Sequence, residues 1–399
     1  MSQQAGNTRD SLASRAGVYV RQRAGYRAFM PKPLPPDPPL RVDEELLSLL
    51  SAADARLGRL DGIAEVLPNP DLFVAMYVRK EAVLSSQIEG TQASLEDVIE
   101  YEAADEKTRG DVAEVVNYVG AMNYGLERLR ELPLSLRLIR EIHTKLMEGV
   151  RGGRREPGAF RRSQNWIGPP GALLREASFV PPPPHEMDEA LADLERFIHE
   201  SPGMPILAKC ALVHAQFETI HPFLDGNGRI GRLLITFMLC HAGVLSRPLL
   251  YLSYYFKRLR TEYYERLQAV RDNGDWEGWV KFFLTGVAAV ATEAADTAKR
   301  IVAMQSEHRS LVQQRLRSPV PLRLLEALYQ RPAVTVHEAA RLADTTYYSA
   351  RNAIRAMEAL GLLEASSGRT RNKRFVYRPF VDLLREGTEP AAASSRSAG

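Results

Sequence analysis

The sequence predicts a mainly α protein: a helical core interrupted by a β-hairpin flap, followed by a small C-terminal winged helix. Three observations carry this reading. Apolar residues recur at helical spacing from about 43 to 148 and again from about 185 to 314. A Gly/Pro-rich break between 151 and 184 holds two short strand-like pieces, 165–167 and 178–180. Residues 320–382 then read helix, helix, helix and a strand-rich end.

Residues 1–42 are polar and then proline-rich, and the fixed φ angles and missing N–H donors of 29–39 forbid a helix or a central strand. An extended arm is expected there, with Tyr26, Phe29 and Met30 as apolar anchors along a helical body. In the helical region of 43–130, stops and starts are legible at Pro68, Pro70, Gly90 and a capping box of Ser94 with Asp97. Pro133 before Ser135 opens the core proper, 131–314. An Arg/Pro segment precedes the 320–382 unit, and the tail, 386–399, has the composition of a disordered segment.

Lys and Arg together number 52 against 49 Asp and Glu, a net charge of +3, so nucleic-acid binding could only be local. Hydrophobic and charged fractions of 45% and 25% are those of a soluble globular chain. Two cysteines, Cys210 and Cys240, exclude a disulfide framework and fit a reducing cytoplasm, as small buried apolar residues. No apolar run is long enough for a membrane span and the first residues lack a signal-peptide core, so neither export nor insertion is expected.

Chemistry concentrates in His221-Pro-Phe-Leu-Asp-Gly-Asn-Gly-Arg-Ile-Gly-Arg232. Ile230, Leu233, Leu234, Phe237 and Met238 follow helical spacing, so this loop feeds a helix N-terminus, where unpaired N–H groups attract anions. Gly226 and Gly228 permit close backbone approach, Arg229 and Arg232 supply guanidinium forks, and Asp225 is a hard oxygen ligand for Mg²⁺. The expected ligand is a nucleoside polyphosphate. His221 is the group suited to act as general base, and no Ser or Cys nucleophile accompanies it, so attack by an incoming hydroxyl is expected. The glycine spacing also matches a dinucleotide fingerprint, but a helical pattern precedes it and no βαβ unit surrounds it.

At every fixed position this segment resembles the signature loop of the Fic (filamentation induced by cAMP) family, His-x-Phe-x-Asp-Gly-Asn-Gly-Arg-x-x-Arg. The resemblance implies AMP transfer from MgATP to Ser, Thr or Tyr hydroxyls of proteins, the chain itself included. By it, His221 would deprotonate the target, Asp225 would hold Mg²⁺, Gly226, Asn227 and Gly228 would line the anion hole, and Arg229 and Arg232 would bind the β and γ phosphates. Phe223 would pack beneath the loop, and the flap would align a target peptide through Trp166, Ile167 and Val180. Tyr263, next to Tyr264, would contact the adenine. Ser85-x-x-x-Glu89-Gly90 resembles the family's inhibitory motif, which implies that Glu89 pairs with Arg232 and holds the enzyme inactive.

The last unit resembles the helix-turn-helix of bacterial regulators. From 341 to 374 it holds seven basic against three acidic residues, and Arg351, Arg355, Arg371 and Lys373 suit phosphate contacts, with protein contact through the same unit as the other reading. Two alternatives to the transferase stay open in the sequence: a DNA-binding regulator that uses the loop as a nucleotide sensor, and an enzyme that removes AMP. The target protein and homodimerisation also stay open.

Overall fold

The computed structural model describes residues 14–65, 70–102, 110–150, 156–169, 171–201, 203–366 and 373–389. It opens with an antiparallel pair, β1 (Gly17–Arg21) and β2 (Arg27–Pro31), registered Tyr19 opposite Phe29. This is a departure from the extended arm. Prolines begin only at Pro31, so the preceding β-branched and aromatic stretch is free to pair around the Gly25 turn. Phe29 and Ala28 are buried, Phe29 N–H donates to Val180 O at 2.9 Å, and Tyr26 OH donates to Gln164 Oε1 at 3.2 Å, so the hairpin lies on the body through two expected anchors.

Five helices follow: α1 (Glu44–Glu65), α2 (Pro70–Ile88), α3 (Leu95–Glu102), α4 (Asp111–Arg128) and α5 (Leu136–Leu146). Their ends sit where the caps predict. Ser94 Oγ accepts from Asp97 N at 3.1 Å while Asp97 accepts from Ser94 N at 2.8 Å, and Ser135 Oγ caps Leu138 N. After the flap come α6 (Pro184–Glu200), α7 (Ile206–Ile220), α8 (Asn227–His241), α9 (Ser253–Arg258), α10 (Arg260–Asn273) and the 40-residue α11 (Trp276–Arg315). Helices α7 and α8 form the buried centre, which α4 and α5 flank on one side and α10 and α11 on the other. Packing on all sides explains why α7 is apolar almost throughout instead of striped.

The expected β-hairpin flap is reduced to a single antiparallel bridge, Ile167 with Phe179, and a 3₁₀ turn at Leu174–Glu176 fills the tip. Gly168 and Pro169 end the pairing after one step.

The C-terminal unit comprises α12 (Val320–Gln330), β3 (Ala333–Thr335), α13 (Val336–Leu342), α14 (Tyr347–Ala359), β4 (Glu364–Ala365), β5 (Arg374–Val376) and α15 (Arg378–Arg385). Its strands form one antiparallel sheet in the order β3-β5-β4. Arg371 lies outside the described residues. The expected disordered tail begins instead with a packed stretch: Thr388 is fully buried, Glu386 pairs with Arg300 at 2.9 Å, and Gln87 on α2 donates to Thr388 O at 2.9 Å. Arg378 and Arg385 both reach Glu96, on α3, so the chain end is stitched to the region around Glu89; residues 390–399 lie outside the described set.

Candidate active site

Helix α7 ends in His221, which takes a left-handed backbone at φ 50° that costs a non-glycine residue on the order of 1 kcal/mol. The flap's root holds it there. His221 O accepts from Arg161 Nε at 3.0 Å and from Asn165 Nδ2 at 3.2 Å, and His221 N–H closes the helix onto Phe217 O at 2.9 Å. Burial, with the Arg271 and Arg161 charges nearby, lowers the imidazole to about 3, so the ring is neutral near pH 7 and able to accept a proton.

The turn that follows is rigid from within. Asn227 is 3% exposed, and its amide accepts from Phe223 N and donates to Phe223 O, each at 2.8 Å, folding residues 223–227 into a closed loop. Phe223 is fully buried beneath that loop and stacks face to face on His143 at 3.8 Å. His143 in turn reaches Asp225 O at 3.0 Å through Nε2 and takes Gly158 N–H on Nδ1, so it is a neutral ring lowered by burial to about 4. Gly226, left-handed at φ 76°, then launches α8, whose first amides have no carbonyl of their own helix to bond.

Glu89 occupies the mouth of this cradle. A Cβ at Gly228 would collide with Glu89 Oε1, which places the carboxylate against the backbone at the first turn of α8. The same oxygen accepts from Arg232 Nη2 at 2.8 Å, and Arg232 also donates through Nε to Ser85 Oγ at 2.8 Å and through Nη2 to Ser85 O at 2.9 Å. Ser85, in the last turn of α2, and Glu89, the residue just after it, therefore grip one guanidinium together. Burial works against ionisation of Glu89, but the Arg232 charge and hydrogen bond outweigh it and hold the carboxyl below its ordinary value.

Arg229 is placed differently. It is 4% exposed and paired to Glu114 on α4 at 3.2 Å, with Asp225 at 3.8 Å, so in this state it ties α8 to α4. Asp225 remains partly exposed at the lip, and its Oδ1 also accepts Gly226 N–H at 2.7 Å.

Two expected contacts move. Tyr263 is 1% exposed with its hydroxyl on His214 Nε2 at 2.8 Å, behind the site, whereas Tyr264 is 41% exposed and lies near Glu89 and Arg232. In α10 successive residues point about 100° apart, and the phase of the helix, invisible in a bare Tyr-Tyr pair, decides which ring is free. Val180 is 6% exposed with its carbonyl spent on Phe29, and Ile167 uses its own N–H and carbonyl on Phe179 and Ser178. Of the three flap residues, Trp166 is the exposed one, at 40%. Lys373 is exposed beside β5, as are Arg351 and Arg355 on α14.

The sequence reading missed Arg161, Asn165, His143 and Glu114. All act through backbone atoms or through partners far along the chain, so no local spacing announces them. Among the described residues, no helix is long and apolar enough to cross a membrane.

Residues 47–127 match the pattern described as Fic/DOC family N-terminal, and 133–239 match that of the Fic/DOC family. The fold resembles the crystal structure of a Fic family protein from Desulfovibrio desulfuricans G20, with a TM-score of 0.55 and 19% identity over 85% of this chain and 97% of that one. A probable protein adenylyltransferase of Aquifex aeolicus is 28% identical over 44% of this chain and 51% of its own length. Protein adenylyltransferase Fic of Drosophila ananassae is 30% identical over 45% of this chain and 33% of its own. The chain thus spans between a third and about half of these relatives' lengths. Over 47–127 and 133–239, and in the complete loop from His221 to Arg232, the chain is thus similar to Fic/DOC family proteins, and it shares the fold of one of them.

Proposed function

We propose that this protein is a protein adenylyltransferase held inactive by Glu89. One observation carries the reading: a carboxylate sits on Arg232 and against Gly228, in the place where an anion cradle beside a neutral histidine would take a terminal phosphate. An arginine already engaged by Ser85 and Glu89 cannot clamp that phosphate, and the carboxylate repels it. The relatives named protein adenylyltransferase support ATP as donor and a protein hydroxyl as acceptor.

Once Glu89 withdraws, the α8 amides and Arg232 hold the phosphate chain. His221 takes the proton of the target hydroxyl as its oxygen bonds to the α phosphorus, and the bond from that phosphorus to the pyrophosphate oxygen breaks. Asp225, a hard oxygen donor partly exposed at the lip, fits Mg²⁺, which neutralises phosphate charge when bound. Arg229 would keep the lip in place through Glu114 and Asp225.

The test is label incorporation into the protein from Mg²⁺ and α-labelled ATP. Glu89→Gly should label strongly, wild type weakly, and Glu89→Gly/His221→Ala not at all. Equal labelling of wild type and Glu89→Gly removes the brake, and no label in any variant favours a nucleotide sensor. A second reading concerns α14, where Tyr348 is 70% and Tyr347 47% exposed beside Arg351 and Arg355, a face suited to duplex DNA. Binding of the full chain to duplex that weakens with salt supports it, and no binding at low salt dismisses it.

A further inference from the structure

A groove of about 970 Å³ opens between the turn of the β1–β2 hairpin and the flap. Tyr19, Tyr26 and Arg27 line one wall, Trp166, Leu173 and Arg175 the other. Trp166 and Leu173 are 40% and 52% exposed, and Val18 and Val20, on the alternate face of β1, are 45% and 41% exposed. Trp166 and Leu173 thus open two large apolar side chains into the groove, while Val18 and Val20 lie on the hairpin's other face.

Its charge is equally one-sided. The hairpin segment 14–32 contains five basic residues and no acidic one, in a chain whose net charge is only +3. Arg15 is buried on Glu277, but Arg21, Arg23 and Arg27 are exposed, and Arg175 across the groove is exposed with the neighbouring Glu176 at 3.4 Å. The single acid on the lining, Asp272, accepts hydrogen bonds from Tyr19 at 3.0 Å and Gln268 at 2.9 Å.

The groove also adjoins the reaction centre. Its floor residue Phe179 carries the Arg271 guanidinium at 3.8 Å, and Asn165, next to Trp166, holds the His221 carbonyl. One wall of the groove is thus joined to the segment that positions His221.

We propose that this groove docks an acidic, aliphatic-rich segment of the protein that receives the AMP, with the N-terminal hairpin acting as the second wall of the substrate site. The inference rests on the protein-substrate reading above and adds the chemistry of the substrate. A peptide fits better than a nucleic acid. The aliphatic Leu173 offers nothing to bases, and the tyrosine hydroxyls are committed to Asp272 and Gln164, so neither reads a base edge.

Fluorescence anisotropy on the full chain without nucleotide tests this, so its outcome does not depend on turnover. The probes are a fluorescein-labelled peptide alternating glutamate and leucine around a central serine, its lysine counterpart, and an oligothymidylate. The acidic peptide should bind, more weakly as salt rises, and the lysine peptide should not. Arg27→Glu/Arg175→Glu should weaken the acidic peptide about tenfold or more, and Trp166→Ala should weaken it in a salt-independent way, with unchanged thermal midpoints showing intact folds. No binding of the acidic peptide, equal binding of the lysine peptide, or insensitivity to the double reversal overturns the proposal. Tighter binding of the oligothymidylate assigns the face to nucleic acid instead. Peptide binding without label incorporation in Glu89→Gly would sink the transferase reading and leave the groove standing; label without peptide binding would do the reverse.

Discussion

Replacing Ser85 with alanine removes one hydroxyl and tests how Arg232 is held. Ser85 is fully buried, and its Oγ accepts from Arg232 Nε at 2.8 Å. A hydrogen bond to a charged group contributes about 1.5–3 kcal/mol, which corresponds to a roughly ten- to hundredfold change in the balance between a held and a free arginine. The Nη2 bonds to Ser85 O and Glu89 survive the change, so the lower part of that range applies, about tenfold. Initial rates of label incorporation for wild type, Ser85→Ala, Glu89→Gly and the double variant form a cycle. Ser85→Ala should raise the wild-type rate about tenfold yet change the Glu89→Gly rate less than about twofold, because a brake already absent cannot be loosened. An equal fall in both backgrounds would refute this, since it would mean that Ser85 positions Arg232 for the phosphate.

Asn227→Ala strips both amide bonds from Phe223; Phe223 O keeps Asn165 Nδ2 at 2.9 Å, but the buried Phe223 N–H is orphaned at a cost of about 1–3 kcal/mol. The thermal midpoint should fall, and label incorporation in the Glu89→Gly background should fall with it; an unchanged midpoint would contradict the closed-loop picture. Burial holds His143 near 4 and His214 and His221 near 3, and pushes Glu81 and Glu218 up to about 7. Below about pH 6.5 the unfolded chain gains three histidine protons against two kept by the folded glutamates, so stability falls by about 1.4 kcal/mol per unit down to about 4.5. Between about 6.5 and 7 the glutamate contribution is still being lost as pH rises, so the thermal midpoint should peak near pH 6.5. A midpoint that climbs steadily from pH 6 to 8 would count against these assignments, at about the reference values of the free side chains.

Where function is written in contiguous residues, the sequence was legible. The loop from His221 to Arg232 and the Ser85–Glu89 spacing each specify local geometry, and the structure brings the two together across 143 residues. The helix ends were readable for the same reason, since capping is a short-range hydrogen-bond problem. Long-range complementarity was not legible. Nothing near Arg229 announces Glu114 as its partner, and nothing near His221 announces Arg161. The β1–β2 hairpin was masked by the prolines after it, and the helical phase at Tyr263 and Tyr264 depends on what α10 packs against.

The carboxylate and the arginine it grips also come in a fixed order of synthesis. Glu89 leaves the ribosome first, and Arg232 follows 143 residues later, roughly 7–30 s at ordinary elongation rates. A newborn chain therefore carries the Glu89 carboxylate before the Gly228 and Arg232 it packs against. Gln87's bond to the carbonyl of Thr388, 301 residues downstream, closes last and secures the end of α2, next to Glu89, only when nearly all the described chain has emerged.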